Sequence, residues 1–511
     1  MTDTQRFLLL SILIGAFAGL LVTAFHIAIE LVSWSALGLP TGARRWSTVL
    51  SPCLGAGLAG LFVRWVAPSA RGSGIIYTKS AIYVSDGYIP ATSIAGKFTA
   101  CVASIGSGAP LGPEDPALQM GAGVASVLGR VFTLARDDMR HIAPVGAAAG
   151  IAAAFNTPIT AVLFVIEEVL SGWSAGVFGS IVLSAASASV VSRAFLGDDP
   201  LFTVPDMALR APAELVIAAG IGLVAGVLSR VYAGSLLSLK ERAKSWPAGV
   251  APALPFVAGL LTGLVALVLP GVLGAGYRGI DAALHSEFPW LTLIALALAK
   301  TALTAVSFGS GVPGGLFAPT LFVGAMLGGG LGGLAAFYWP LAPGAMSAYV
   351  LIGMGAFFAA VFRTPMTSIF MVFEVSATYV IILPVMIANT VAYLVSRALM
   401  RHSLFESLGT EEGVRFPSVQ EMRARRAPRV EDIMQPLDGR DVSGLDEVHP
   451  DEPIDAALLK LRAAQALAVV SRGAPPVVLG IISRDDVRKW LWPDPAEHRP
   501  AGTPGSAEEP G

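Results

Sequence analysis

Charged residues are scarce in this 511-residue chain: Asp, Glu, Lys and Arg make up 14% of it, against about 25% in ordinary soluble domains. Set beside 54% hydrophobic residues and a mean hydropathy of +0.68, that scarcity excludes a soluble globular protein, whose core could not hide so much apolar surface. Cysteine is nearly absent. Cys53 and Cys101 lie in apolar stretches and read as small core residues, not as a disulfide. The six histidines are scattered without metal-ligand spacing, so no metal site is expected. No His-Glu-x-x-His motif and no nucleophile–base pair is visible, so enzymatic chemistry is not expected. There is no basic stripe of the kind that binds nucleic acid, and a net charge of −2 points to no other partner.

What the chain has instead is long apolar segments. Residues 7–32, 212–237, 252–273 and 288–306 are each near or above the roughly 20 residues that span a bilayer as a helix. The first is too long for a signal-peptide core and reads as a retained helix. Segments 117–131, 143–155 and 158–170 are shorter or interrupted by Gly and Pro, and read as tilted, re-entrant or half-spanning helices. The fold class is therefore an all-α polytopic membrane domain over residues 1–410, followed by a change of composition. A basic linker at 411–429 carries Arg423, Arg425, Arg426 and Arg429. With Arg401 and His402 it places the C-terminus in the cytoplasm, since basic residues favour that side, and the protein in the plasma (inner) membrane. Other basic loops are read at Arg44-Arg45 and from Lys240 to Lys244. Residues 430–492 have the mixed pattern of a small soluble α+β domain. Residues 493–511, rich in Pro, Gly and Glu, read as a disordered tail.

Two irregular stretches repeat. GSGAPLGPEDP at 106–116 recurs as GSGVPGGLFAP at 309–319, an offset of 203 (309 − 106), and the match continues through Leu118/Leu321, Gly121/Gly324 and Ala122/Ala325. FNTPIT at 155–160 recurs as FRTPMT at 362–367, an offset of 207 (362 − 155). In a membrane, broken backbone survives only where protein buries it or it lines a cavity. Breaks at matching places in two halves, here about 1–205 and 206–410, point to a transport site.

The differences between the copies single out residues. Glu114 lies at the start of an apolar helix, and its counterpart is Phe317. Helix N-termini attract anions, so a carboxylate there can occupy an anion site and leave it. The bland alternative is a capping acid at a membrane surface. Glu167 matches Glu374 and reads as half of a symmetric structural pair, whereas Glu168 matches Val375 and stands alone. A lone acid at the end of an apolar helix fits a proton entry point; the alternative is a helix end reaching water. Arg71-Gly72-Ser73-Gly74-Ile75 offers a freed backbone and a neutral hydroxyl, which can hold a halide without trapping it, although a Gly-Ser-Gly run is usually only a turn. The N–H groups of Leu316 and Phe317, after Gly314-Gly315, can point at the same ion.

Taken in this order, the motifs resemble the CLC chloride channel and transporter family over roughly residues 10–410. Gly72-Ser73-Gly74-Ile75 resembles its Gly-Ser-Gly-Ile-Pro anion loop. Gly112-Pro113-Glu114-Asp115-Pro116 resembles its Gly-Lys/Arg-Glu-Gly-Pro loop, and Gly315-Leu316-Phe317-Ala318-Pro319 its Gly-x-Phe-x-Pro loop. Residues 149–158 followed by Glu167-Glu168 resemble the stretch that ends in its internal proton glutamate. The resemblance implies inverted repeats, a homodimer with one pathway per subunit, and chloride and protons as the transported species. It makes Glu114 the external gate, Glu168 the internal proton relay, and Ser73, Gly74, Leu316, Phe317 and Phe405 the anion contacts. Three departures stand out. Ile76 replaces a proline. Pro113 and Asp115 replace a basic residue and a glycine beside Glu114, so a second carboxylate enters the gating loop. Phe405 takes the place of a tyrosine, keeping the ring and losing the hydroxyl, which weakens the expected central site. An acid at position 168 favours chloride–proton exchange over the alternative, a passive voltage- or pH-gated channel of the same fold.

The C-terminal stretch opens with Val430-Glu431-Asp432-Ile433-Met434, continues with a helical pattern at 454–463 and ends in strands with a turn read at Gly480. Its Gly480-Ile481-Ile482-Ser483-Arg484-Asp485-Asp486 resembles the closing pattern of a CBS domain, present once. That resemblance implies an adenine nucleotide, with Ser483 and Asp486 at its ribose or phosphate; the bland reading of the same pair is a helix cap. No cofactor is expected otherwise.

Overall fold

A computed structural model of the chain describes residues 3–38, 45–170, 175–205, 212–247, 249–338, 344–414, 429–437, 442, 444–452, 454–461, 464–471 and 477–491. It divides into two compact units, Met1–Phe416 and Pro417–Gly511. The expected linker falls mostly, and the expected tail wholly, outside the described residues.

The first unit is helical throughout. In chain order its helices are α1 (Asp3–Leu37), α2 (Arg45–Trp65), α3 (Gly74–Val84), α4 (Ala91–Gly106), α5 (Glu114–Val131), α6 (Arg136–Phe155), α7 (Pro158–Phe164), α8 (Ala175–Leu196), α9 (Pro212–Ser245), α10 (Leu254–Ala266), α11 (Tyr277–Leu284), α12 (Trp290–Gly309), α13 (Phe317–Ala335), α14 (Ala345–Phe362), α15 (Pro365–Ser376), α16 (Ile382–Leu399) and α17 (Leu404–Glu411). Among the described residues, eight helices are long and apolar enough to cross a membrane. The structure corrects three expectations from the sequence. The 252–273 segment holds only a 13-residue helix, α10, between two short 3-10 turns, because Pro255 and Pro270 bound it. The 143–155 segment is the end of a 20-residue α6. Lys240, Arg242 and Lys244 belong to the end of α9, not to a loop, where cations complement the helix dipole.

The two halves pack alike. α5 lies along α6 as α13 lies along α14, and α1 lies on α8 as α9 lies on α16. Small residues set the close approach of helices that lack a hydrophobic drive towards each other in lipid. A Cβ on Gly324 would meet the carbonyl of Gly353 at 2.5 Å, and one on its counterpart Gly121 would strike the backbone of Gly146. α13 and α14 form the centre, 89% and 94% buried over their apolar windows. Exposed Leu and Val side chains on α1, α2, α9 and α16 form the outer surface, as a lipid-facing wall requires. The halves also cap each other. Glu167 accepts from the N–H of Met366 (3.2 Å) and Thr367 (2.8 Å) at the start of α15. Glu374 accepts from the N–H of Ile159 (3.0 Å) and Thr160 (2.6 Å) at the start of α7. Each carboxylate takes the threonine hydroxyl as well, at 2.6 and 2.5 Å. The matched acids are therefore reciprocal N-caps.

The second unit contains α18 (Val430–Ile433), β1 (Glu447–Val448), α19 (Ile454–Leu461), β2 (Ala466–Val470), β3 (Val478–Ser483) and α20 (Arg484–Leu491). The sheet order is β1-β2-β3, parallel then antiparallel. It has its own core, including Val430, Val448, Leu467 and Ile482. The turn read at Gly480 is instead the interior of β3, paired with Val469. Glycine is needed there because a Cβ would meet the Gln435 carbonyl at 2.6 Å. Ser483 caps α20. Its N–H and hydroxyl donate to Asp486 Oδ2 at 2.9 and 2.5 Å, and the N–H of Asp486 lies 3.3 Å from Ser483 Oγ.

Candidate functional site

The repeated loops meet. Gly112 and Gly315 form an isolated antiparallel bridge, with the N–H of each donating to the carbonyl of the other at 2.9 and 2.8 Å. Each loop is also held by the opposite half: Ser104 on α4 donates to the Pro313 carbonyl at 2.5 Å, and Thr304 on α12 to the Pro110 carbonyl at 2.9 Å. The helices that follow, α5 and α13, start with Glu114-Asp115-Pro116 and Phe317-Ala318-Pro319, and neither has a side-chain cap. A proline in the first turn removes a donor that would have no intrahelical partner. The remaining N–H groups and the positive dipole ends point into the space between the tips.

The start of α3 joins them. Gly74 packs so closely on Asp115 that a Cβ would strike its carbonyl. Ser73 is the N-cap of α3, its oxygen accepting from the Ile75 N–H at 3.2 Å. Three helix N-termini therefore converge on one buried region. Pro113, Gly112 and Pro116 shape the backbone that holds Glu114 and Asp115 there.

Glu114 is fully buried, and among the described residues neither carboxylate oxygen has a hydrogen-bond partner. Its Oε2 and the backbone N of Ala318, one residue beyond Phe317 in α13, both crowd Gly112. Leu316 is the residue preceding α13, and Phe317 its first residue. The Phe317 ring packs on Phe164 (centroids 4.8 Å), Phe358 (5.3 Å) and Phe362 (5.2 Å). Phe405 lies flat on Phe362, 4.8 Å away with 9° between planes, at the start of α17. Phe405 thus completes an apolar aromatic wall reaching the α13 tip.

Asp115, read from the sequence as a second carboxylate in the gating loop, reaches the tip of α3. Its Oδ1 accepts from the Ser73 hydroxyl at 3.1 Å and from the Ile75 N–H at 2.7 Å. The hydroxyl expected to face an anion therefore donates to a resident carboxylate. Lys97, fully buried on α4, lies close by and donates to the carbonyls of Ala70 (3.1 Å) and Gly72 (2.8 Å). Lys300 on α12 does the same in the other half, donating to Val272 (2.8 Å) and Gly274 (2.6 Å).

Glu168 has a different setting. After α7 the chain widens into a π turn, Val165–Val169, that carries Glu167 and Glu168. Its counterpart α15 is a regular α-helix through Glu374 to Ser376. A π turn reorients the side chains it carries, and such turns are frequent at functional sites. Here Glu167 turns to cap α15 while Glu168 turns inward, 7% exposed, onto Lys79 of α3 at 2.9 Å.

Comparison with known proteins identifies the family. The family model described as voltage gated chloride channel matches residues 55–397. The chain belongs to that family. A ClcB-like protein of Ralstonia nicotianae is 34% identical over 403 residues, covering 76% of this chain and 92% of its own length. The H(+)/Cl(-) exchange transporter ClcA of Vibrio vulnificus is 32% identical over 401 residues, covering 75% of this chain and 84% of the relative. Among solved structures, a slow cyanobacterial Cl−/H+ antiporter aligns with a TM-score of 0.72 at 24% identity, over 80% of this chain and 98% of that one. A eukaryotic CLC transporter aligns with a TM-score of 0.68 at 22% identity, over 95% of this chain and 88% of that one. The fold is the family's.

Four features of the site escape a reading of the sequence alone. Lys97 and Lys300 carried a signal, since they share the loop offset of 203 (300 − 97). Lys79 was a lone cation in an apolar run. The Asp115–Ser73 contact and the π turn left no signal in the sequence.

Proposed function

We propose that this chain exchanges chloride for protons across a plasma (inner) membrane, one pathway in each subunit of a homodimer. The observation that carries this is the buried, unpaired Glu114 carboxylate at the meeting of three helix N-termini. A carboxylate on a flexible side chain and a halide suit the same donors, so each excludes the other. When Glu114 takes up a proton it releases the tips of α5 and α13, and chloride occupies them, held by N–H groups around Leu316, Phe317 and Ala318 and bordered by the phenylalanine wall that includes Phe405. Glu168 serves as the inward proton station. Support for exchange comes from relatives that bear the name H(+)/Cl(-) exchange transporter.

The passive-channel reading rests on one observation, the Lys79–Glu168 contact at 2.9 Å, because a carboxylate held by a cation gives up its charge less readily. Reconstitution of the full-length protein into liposomes decides between them. In exchange, an imposed chloride gradient drives protons uphill, and Glu168→Gln stops the protons while chloride still moves. Chloride flux with no proton movement in the wild type refutes exchange.

The second unit is read as a single CBS-like cytoplasmic domain, supported by its β-α closing pattern. Ser483 and Asp486 bond each other as a cap, so an adenine nucleotide at this pair would have to share those groups. Titration of the full-length protein with ATP and AMP tests that assignment; binding unchanged in Asp486→Ala removes the pair from it.

A further inference from the structure

We propose that Asp115 is a resident anion of the α3 tip, a tethered carboxylate that chloride has to displace before it can use the Ser73 hydroxyl and the Ile75 N–H. This rests on the anion-transport reading above and adds a second barrier to it, in series with Glu114.

The donors are already taken. Ser73 Oγ and Ile75 N lie 3.1 and 2.7 Å from the same Asp115 oxygen. A helix N-terminus with a neutral hydroxyl is the type of site that holds an anion, and this one holds the carboxylate of its own chain. The fold does not require the carboxylate. α3 already has a cap in Ser73, whose oxygen accepts from Ile75. The equivalent residue at the start of α13 is Ala318, and that helix begins without any side-chain cap. Asp115 is therefore the nearer of two acceptors, 2.7 against 3.2 Å, at a tip that also carries its own cap in Ser73.

The carboxylate is also incompletely satisfied. Asp115 is fully buried, and among the described residues Oδ2 has no hydrogen-bond partner. A buried carboxylate retained only for stability would have its acceptors filled. The charged groups around it are Lys97 from α4 and Glu114 beside it on α5. Lys97 acts on Asp115 through space while its own protons go to the carbonyls of Ala70 and Gly72. The pocket thus has a cation nearby that balances one anion without gripping it, and the anion there is either the Asp115 side chain or a halide. The shared donors enforce the choice, because Ser73 Oγ and Ile75 N already serve the Asp115 oxygen, and the Asp115 Cβ lies against Gly315 just before α13.

The test is chloride affinity of the purified full-length protein, measured by calorimetry from chloride-free buffer, together with anion flux in liposomes. Asp115→Gly uncovers the tip and is expected to tighten chloride binding by about tenfold or more, the worth of a lost charge-assisted competitor. Asp115→Asn keeps shape and cap but loses charge, and is expected to fall between, which guards against a glycine variant that fails to fold. Adding Ser73→Ala to Asp115→Gly is expected to cancel most of the gain. Affinity unchanged or weakened in both Asp115 variants, with flux intact, overturns the inference alone. A gain that survives Ser73→Ala also overturns it, because the α3 tip is then not the site. Absence of anion flux in the wild type overturns the transport reading, and the inference falls with it.

Discussion

Glu168 and Lys79 form an ion pair 2.9 Å long, with side chains 8% and 3% exposed. In such a place breaking the pair by removing one partner costs about 3–5 kcal/mol. Lys79→Met is therefore expected to lower the thermal midpoint clearly, and the double variant Lys79→Met/Glu168→Gln to recover most of the loss; thermal melts of the four proteins check this. At Glu114 the expectation is functional. Glu114→Gln mimics the protonated side chain, so chloride flux should persist and lose its coupling to protons, read as flux without a pH change inside liposomes. The sequence made Glu114 and Glu168 legible because each breaks the match between the halves. It gave no hint that Asp115 touches Ser73, 42 residues away, or that Glu168 touches Lys79, 89 residues away, since only the packing of α3 against α5 and the π turn brings them together.

Helices in this molecule are positioned by their ends. The reciprocal caps of Glu167 on α15 and Glu374 on α7 each accept from two backbone N–H groups and one threonine hydroxyl. Loss of an N-cap costs about 0.5–2 kcal/mol, so Glu374→Ala should lower the melting temperature while the chloride-to-proton ratio in liposomes stays at the wild-type value. A changed ratio would show that these caps also set the transport geometry. The pairing of Glu167 with Glu374 was legible from the repeat, whereas the length of α10 was not: hydropathy continues through Pro255 and Pro270, and only backbone chemistry stops the helix. The turn at Gly480 was misplaced for a similar reason. A glycine marks either a bend or a close approach, and here Gln435 is what approaches.

The molecule as a whole consists of two units with separate hydrophobic cores. Truncation after Phe416 removes one core without opening the other, so the shortened protein is expected to retain anion flux within about a factor of two, measured by efflux from liposomes. Flux lost on truncation would mean that the C-terminal unit is needed for the pathway to form. The inverted halves, by contrast, cannot be separated. Their repeated loops hydrogen-bond at Gly112 and Gly315 and are tied across by Ser104 and Thr304. A carrier whose halves rock apart to expose its cargo on alternate sides would have to break that knot. With the loops laced together in this way, parting one half from the other forfeits all four of these hydrogen bonds at once.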